Sequence, residues 1–104
     1  MAILFFDTET TDMWDFKGRT LDPKQPNLAQ IGALLTDDNG REMASFTSLI
    51  YPEDDWIMAP GAQNVHGISM EDMETYGIGL STACRTFDDM LNAADIAVGH
   101  NVKF

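Results

Sequence analysis

Apolar residues along the chain fall into short runs separated by polar stretches rich in glycine and proline, a pattern typical of an α/β protein. The first run, residues 2–7, is continuous and ends in acid, which predicts a buried strand in the centre of a sheet. Residues 28–36 form a second apolar run, and the Asp-Asp-Asn-Gly sequence at 37–40 is a strong turn signal. Residues 42–51 alternate well enough to form the returning strand. These three segments predict an antiparallel meander.

Helical signals follow in the second half of the chain. Residues 61–65 have room for one helical turn, and Ser69 is a good N-cap for a short acidic helix that Gly77 and Gly79 end. Ser81 is the predicted N-cap of a longer helix, because the apolar residues after it repeat at helical spacing: Ala83, Phe87, Met90, Leu91 and Ala94.

Residues 96–99 form a last apolar run, directly after this helix. A helix that delivers the chain into a buried strand is typical of a crossover, so we expect the fourth strand to run parallel to the first. The predicted fold is α/β, in one domain over residues 1–104. A sheet that ends on its fourth strand has one uncovered face, so we expect either a truncated domain or a partner that covers this face.

Charge restricts the possible functions. Six Lys and Arg against 17 Asp and Glu give a net charge of −11 and an isoelectric point near 4.1. Such a surface repels phosphate backbones, which argues against charge-driven, non-specific binding of nucleic acid. Any contact with nucleic acid must be local and bridged by cations.

Cysteine content and hydropathy indicate where the protein works. Cys84 is the single cysteine, so an internal disulfide is excluded, and its position in a helical pattern favours a buried thiol. No secretory signal and no apolar run of membrane-spanning length is present. We therefore expect a cytoplasmic protein with no membrane association.

Asp7 and Glu9 are the sharpest candidates for chemistry. Side chains at positions i and i+2 of a strand point the same way, so the two carboxylates project together. Paired carboxylates repel unless a cation lies between them, and oxygen-rich sites suit Mg²⁺ or Mn²⁺. Two such ions roughly 4 Å apart can hold the attacking and leaving oxygens of a phosphodiester displacement. The alternative is a solvated strand end with two surface acids, and the two residues alone favour this alternative.

Four segments carry a resemblance to a known family. In order, they are the apolar strand with its D-T-E-T-T sequence (3–11), L-A-Q-I-G-A (28–33), N-V-H-G-I-S (64–69) and A-V-G-H-N-V-K-F (97–104). Together they resemble the N-terminal portion of the DEDD-type 3′→5′ exonuclease superfamily, which includes proofreading exonucleases and ribonuclease T-like enzymes. The resemblance implies a ribonuclease H-like fold and two-metal hydrolysis at the 3′ ends of single-stranded DNA or RNA.

This resemblance also implies roles for individual residues. Asp7 and Glu9 match the first two of the family's four metal-binding acids, with Asp7 touching both of two Mg²⁺ or Mn²⁺ ions. Glu9 would also meet the terminal 3′-hydroxyl. The backbone around Thr8 and Thr10 would seat the last nucleotide.

Two further positions match substrate contacts of the family. His66 matches a residue that touches the substrate, although the residues alone favour a histidine that fills the turn before Gly67. Asn101 matches a position along the substrate strand and is also a good helix N-cap. Trp14 and Trp56 lie in predicted loops, where partial burial is the more common outcome and stacking on a base is the alternative.

Departures from the family pattern limit what these residues can do. The second motif of the family continues into an aspartate after the position of Phe104, and its third motif supplies a His or Tyr and a fourth acid. Neither is in this sequence, so we expect the isolated chain to be inactive. Many relatives have glycine at the position of Asp12, and some have an acid at that of Gly61.

Two alternatives of a different class stay open. One is a non-catalytic interaction module that keeps the fold, with a homodimer or another partner covering the uncovered sheet face. The other is an acidic mimic of nucleic acid, which the net charge of −11 favours. Divalent-metal binding that depends on Asp7 distinguishes the exonuclease from both.

Overall fold

A mixed four-stranded sheet organises the chain in the computed structural model, which describes residues 1–13 and 25–99. The strands are β1 (Ile3–Thr10), β2 (Leu28–Thr36), β3 (Glu42–Leu49) and β4 (Ile96–Gly99). Their order is β3-β2-β1-β4, with β2 antiparallel to both β1 and β3 and with β4 parallel to β1. The predicted meander and the parallel fourth strand are confirmed.

Three helices in the described part of the chain lead from β3 to β4: α1 (Pro60–His66), α2 (Met70–Tyr76) and α3 (Leu80–Asn92). Gly67 ends α1 with φ of 72°, the left-handed conformation that glycine adopts without steric cost. Ser69 caps α2 as predicted. Its hydroxyl accepts a hydrogen bond from the Asp72 N–H (3.0 Å), and the Asp72 carboxylate accepts one from the Ser69 N–H (3.1 Å).

The start of α3 differs from the prediction. Gly79 is the N-cap, without a side-chain hydrogen bond, and Ser81 lies inside the first turn. The helix begins earlier because Leu80 packs against the core, and this burial outweighs the capping preference of the serine hydroxyl. Cys84 is exposed, so the prediction of a buried thiol was wrong. It follows the fully buried Ala83, and neighbouring helical positions point in different directions.

The core lies between the sheet and the helices. One cluster surrounds Ile50 and Met73, and the other surrounds Leu4 and Met90. Phe87 of α3 packs against both clusters, and its ring meets that of Phe6 edge to face at 5.3 Å between centroids. These contacts hold the helices to one face of the sheet.

The opposite face of the sheet, which we call the open face, carries partly exposed apolar side chains. Phe5 pairs with Leu34 on one side and with Val98 on the other, and these side chains are 42%, 36% and 45% exposed. Ile96 is 44% exposed, so the prediction that the fourth strand is buried was wrong. Within the described sheet the strand pairs with β1 alone, so it has fewer neighbours than a central strand has. None of the described helices is long and apolar enough to cross a membrane.

Residues 2 and 95 join the two ends of the described chain. The Ala2 N–H donates to the Asp95 carboxylate at 2.7 Å, and the Asp95 N–H donates to the Ala2 carbonyl at 2.8 Å. This reciprocal pair sets the register in which β4 begins beside β1.

Candidate active site

Asp7 and Glu9 lie within β1, which continues as a paired strand to Thr10 rather than ending at the first acid. In the register with β2, Asp7 is opposite Gly32 and Glu9 is opposite Gln30. The two carboxylates therefore share one side of the strand, as their spacing predicts. Both line a shallow depression of about 120 Å³.

The donors around this depression suit a hard divalent cation. Its lining contains the two carboxylates, the Gln30 side chain and the Thr47 hydroxyl, all sources of oxygen ligands. One oxygen of Asp7 accepts a hydrogen bond from the Thr8 N–H at 2.9 Å, which orients the carboxylate. Among the described residues, no three His, Cys, Asp or Glu side chains come together to hold a metal. Two carboxylates beside neutral oxygen donors fit part of the ligand set of Mg²⁺ or Mn²⁺.

Gly32 keeps the floor of this depression open. A Cβ built there would meet only the Thr47 hydroxyl, at 3.6 Å, which is an ordinary contact. We therefore expect Gly32→Val to keep the free energy of unfolding in urea within about 1 kcal/mol of the parent chain, while its methyl groups hinder cations from reaching Asp7.

Mn²⁺-induced broadening of the Asp7 and Glu9 amide signals in nuclear magnetic resonance (NMR) measures that access. It should be weaker in Gly32→Val than in Gly32→Ala, whose single methyl group leaves more of the depression open. Equal broadening in the parent chain and both variants would contradict the assignment of the depression as the cation site.

A larger groove of about 360 Å³ begins at Glu9, so this residue belongs to both cavities. One wall comes from the end of β1 and the residues after it, and the other comes from α1. The lining consists of Glu9, Thr10, Asp12, Met13, Gly61, Ala62, Val65 and His66. Met13 and Val65 are 85% and 84% exposed, which gives the groove apolar surface beside its acidic end.

Hydrogen bonds of the Thr11 backbone and hydroxyl hold the β1 wall of this groove in place. Its N–H donates to the Asn27 carbonyl (2.9 Å), and its hydroxyl accepts from the Asn27 N–H (2.9 Å). The Thr11 carbonyl accepts from the N–H of Ala59, the N-cap of α1, at 2.8 Å. Thr11 is only 2% exposed, so these bonds satisfy polar groups that are removed from water.

His66 uses both ring nitrogens to bind backbone groups. The Ile68 N–H donates to Nδ1 at 3.0 Å, which requires a lone pair on Nδ1 and places the proton of the neutral ring on Nε2. Nε2 then donates to the Thr10 carbonyl at 2.9 Å. The side chain borders the groove, and the substrate contact that the resemblance implies for it stays a prediction.

The other predicted site residues lie in different places. Thr8 borders the small depression, and Thr10 borders the groove and donates its hydroxyl proton to the Asp12 carbonyl at 2.7 Å. Asn101 and Trp14 lie outside the described residues. Trp56 is 9% exposed within the core, so it is not available to stack on a base, and burial accounts for this loop tryptophan.

Sequence reasoning missed the apolar wall formed by Met13, Ala62 and Val65. A signal for two of these residues was present: Ala62 and Val65 are three positions apart on a short helix, so they share a face. Nothing local connects Met13 with them, because the groove exists only when α1 packs beside the end of β1.

Comparisons with known proteins agree with this geometry. A family model of exonucleases, of the RNase T type, matches residues 4–104. The fold is similar to that of E. coli exonuclease I in complex with a dT13 oligonucleotide, with a TM-score of 0.78 and 22% identity over 96% of this chain and 20% of that chain. A complex of the E. coli enzyme with a 5cy-dA13 oligonucleotide and an exonuclease I/SSB-Ct complex match with TM-scores of 0.77, at the same identity and coverage.

These matches establish the fold as that of a ribonuclease H-like exonuclease. The chain spans about a fifth of the length of the exonuclease I chains that it resembles. No curated protein sequence matches it significantly.

Proposed function

Because the chain belongs to the RNase T-type exonuclease family, we propose that it contributes the first two metal-binding acids of a 3′→5′ exonuclease that acts on single-stranded DNA or RNA. One observation carries this proposal. Asp7 and Glu9 share a depression lined by oxygen donors, and this depression adjoins at Glu9 a groove of about 360 Å³. That volume is within the range of small-molecule sites, roughly 300–1,000 Å³.

The groove suits the terminal nucleoside of a single strand. Its apolar wall of Met13, Ala62 and Val65 offers surface for the base and sugar, and Glu9 at its acidic end can accept a hydrogen bond from the 3′-hydroxyl. A nucleoside held in this way directs the adjoining phosphate toward Asp7. The exposed residues of the apolar wall lose contact with water when the nucleoside binds, which favours association.

Asp7 and Glu9 would hold the metal ions, with two Mg²⁺ or Mn²⁺ expected in the complete site. When bound, such ions neutralise the phosphate and stabilise the attacking and leaving oxygens. In this chain the Thr8 N–H orients Asp7, and Gly32 leaves the depression open because it has no side chain to fill it. We propose that the remaining two acids and the group that orients the attacking water come from following sequence or from a second subunit.

The charge of the chain agrees with an enzyme that holds a single terminus. With a net charge of −11, a long stretch of phosphate backbone would be repelled, and a cation-bridged contact with one nucleotide is favoured instead. The same charge is compatible with an acidic mimic of nucleic acid. A mimic would not need two carboxylates gathered in a depression beside an apolar groove.

Thymidine 5′-monophosphate with Mg²⁺, which does not broaden the signals, tests the proposal on the chain as it exists. The nucleotide should shift the amide NMR signals of Glu9, Thr10, Ala62 and Val65, and Asp7→Ala should remove these shifts. Shifts elsewhere on the protein, or shifts that need neither Mg²⁺ nor Asp7, would contradict the proposed site.

An oligonucleotide assay examines the activity itself. We expect the 104-residue chain with Mn²⁺ to leave a 5′-labelled single-stranded oligonucleotide intact, because half of the acids are absent from it. A 3′ ladder that disappears in Asp7→Ala would instead show that a second copy completes the site. A ladder that persists in that variant would contradict the role of Asp7.

A further inference from the structure

We infer that His66 sets the width of the groove, acting as a positioning residue for Glu9 and Thr10 rather than bonding to the nucleotide through its ring. The effect on nucleotide binding rests on the proposed function. The hydrogen bonds of His66 do not depend on that function, so they can be tested without nucleotide.

Helix α1 has little packing to hold it. The helix is seven residues long, about 10 Å at 1.5 Å per residue, and it has no buried side chain. Helices in proteins owe most of their stability to an apolar face packed on the core. In α1 only the small side chain of Ala62 packs against the core cluster. The position of the helix therefore depends in part on its hydrogen bonds to the rest of the chain.

Two of these bonds tie α1 to the β1 wall, one at each end of the helix. At its start, the Ala59 N–H donates to the Thr11 carbonyl at 2.8 Å. At its last residue, His66 Nε2 donates to the Thr10 carbonyl at 2.9 Å. The helical wall of the groove, which includes Ala62 and Val65, lies between these two ties. These two bonds therefore help to set the distance from this wall to Glu9, and one of them comes from a side chain.

The ring of His66 is itself held in one orientation. Its Nδ1 accepts from the N–H of Ile68, a residue that is 7% exposed and belongs to the core cluster. The core therefore fixes the imidazole, and the imidazole ties the last residue of α1 to the end of β1. No ring nitrogen is left to bond with a nucleotide while both bonds are intact. Histidine suits this place because a neutral imidazole is a donor and an acceptor at opposite corners of one rigid ring.

Two substitutions separate the two bonds of His66. His66→Gln puts an amide N–H close to the position of Nε2, so it can keep the Thr10 bond and lose the Ile68 bond. His66→Asn puts an oxygen close to the position of Nδ1, so it can keep the Ile68 bond and lose the Thr10 bond. The variants have the same functional group on side chains of different length, which makes each a control for the other.

Nucleotide binding is the first measurement. With Mn²⁺ present, His66→Asn should bind thymidine 5′-monophosphate about fivefold more weakly than the parent chain, the effect of one lost hydrogen bond, and His66→Gln should stay within about twofold. Parent-like affinity in His66→Asn, or a larger loss in His66→Gln than in His66→Asn, would overturn the inference.

Measurements without nucleotide test the hydrogen bond between His66 and the Thr10 carbonyl independently. In the parent chain, long-range ¹H–¹⁵N NMR spectra should show a slowly exchanging proton on Nε2 and none on Nδ1. Amide exchange within α1 should be faster in His66→Asn than in His66→Gln. A proton on Nδ1, or equal exchange in both variants, would overturn the tie. Failure of the parent chain to bind thymidine 5′-monophosphate would contradict the proposed function alone.

Discussion

Replacing Asp7 with asparagine is expected to weaken Mn²⁺ binding at the small depression by about 100-fold or more without unfolding the chain, because even outer partners of metal ligands contribute 10–100-fold to affinity. Asparagine has the shape of aspartate and keeps an oxygen for the Thr8 N–H, so the strand should be unchanged. What is lost is a negative charge that attracts the cation, because a carboxylate binds a hard divalent ion more strongly than a neutral amide oxygen does. Paramagnetic broadening of amide signals around residues 7–9, 30 and 32 during an Mn²⁺ titration measures the effect.

Asp88→Asn is the matched control for this experiment. Asp88 is an exposed acid on α3, so the substitution removes the same charge from the chain at a distance from the depression. Its broadening pattern should equal that of the parent chain. If Asp7→Asn and Asp88→Asn reduce the broadening equally, the cation responds to net charge alone, and the metal site at Asp7 is refuted.

Gly77→Ala should produce the largest loss of stability, about 3 kcal/mol, because steric overlap in a packed interior costs that much when nothing can move aside. The backbone of Gly77, with φ of −74° and ψ of 150°, is one that alanine adopts readily. The cost arises from contacts. A Cβ at this position would lie 2.5 Å from the Ile50 carbonyl carbon and from the Tyr51 nitrogen, and would also overlap the Met73 carbonyl oxygen.

These neighbours are backbone atoms in a bonded arrangement, so they cannot rotate away as a side chain can. The Gly77 N–H donates to the Met73 carbonyl at 2.9 Å, and the Tyr51 N–H donates to the Ile78 carbonyl at 2.7 Å. Gly79→Ala is the control, since no atom lies within 4 Å of the Cβ that it adds. Urea unfolding should place Gly79→Ala within about 1 kcal/mol of the parent chain, and equal losses in the two variants would disprove the steric explanation.

Local sequence was sufficient where a structure depends on neighbouring residues. Strand β2 has the predicted bounds because its apolar run is closed by the Asn39-Gly40 turn, where Gly40 has φ of 80°. The Ser69 N-cap was predictable because its partner, Asp72, is three positions away. The shared side of Asp7 and Glu9 follows from strand geometry alone.

Features that depend on distant contacts were not predictable in the same way. Ser81 has the chemistry of an N-cap, but burial of Leu80 moved the start of α3 to an earlier residue. The apolar run of β4 resembles that of a central strand, and only the strand order shows that it is an edge. The groove brings Thr10 to His66 across 56 positions, a contact for which periodicity offers no signal.

The pairing of residue 2 with residue 95 has a consequence for the order in which the chain folds. The contact spans 93 positions, so closing it costs more chain entropy than forming the meander, whose strands are neighbours in sequence. The β2–β3 hairpin is thus expected to form early and the β1–β4 pair late. Contacts that form after the folding barrier slow unfolding without speeding folding. The β1–β4 pair is therefore expected to lengthen the lifetime of the folded state more than it speeds folding.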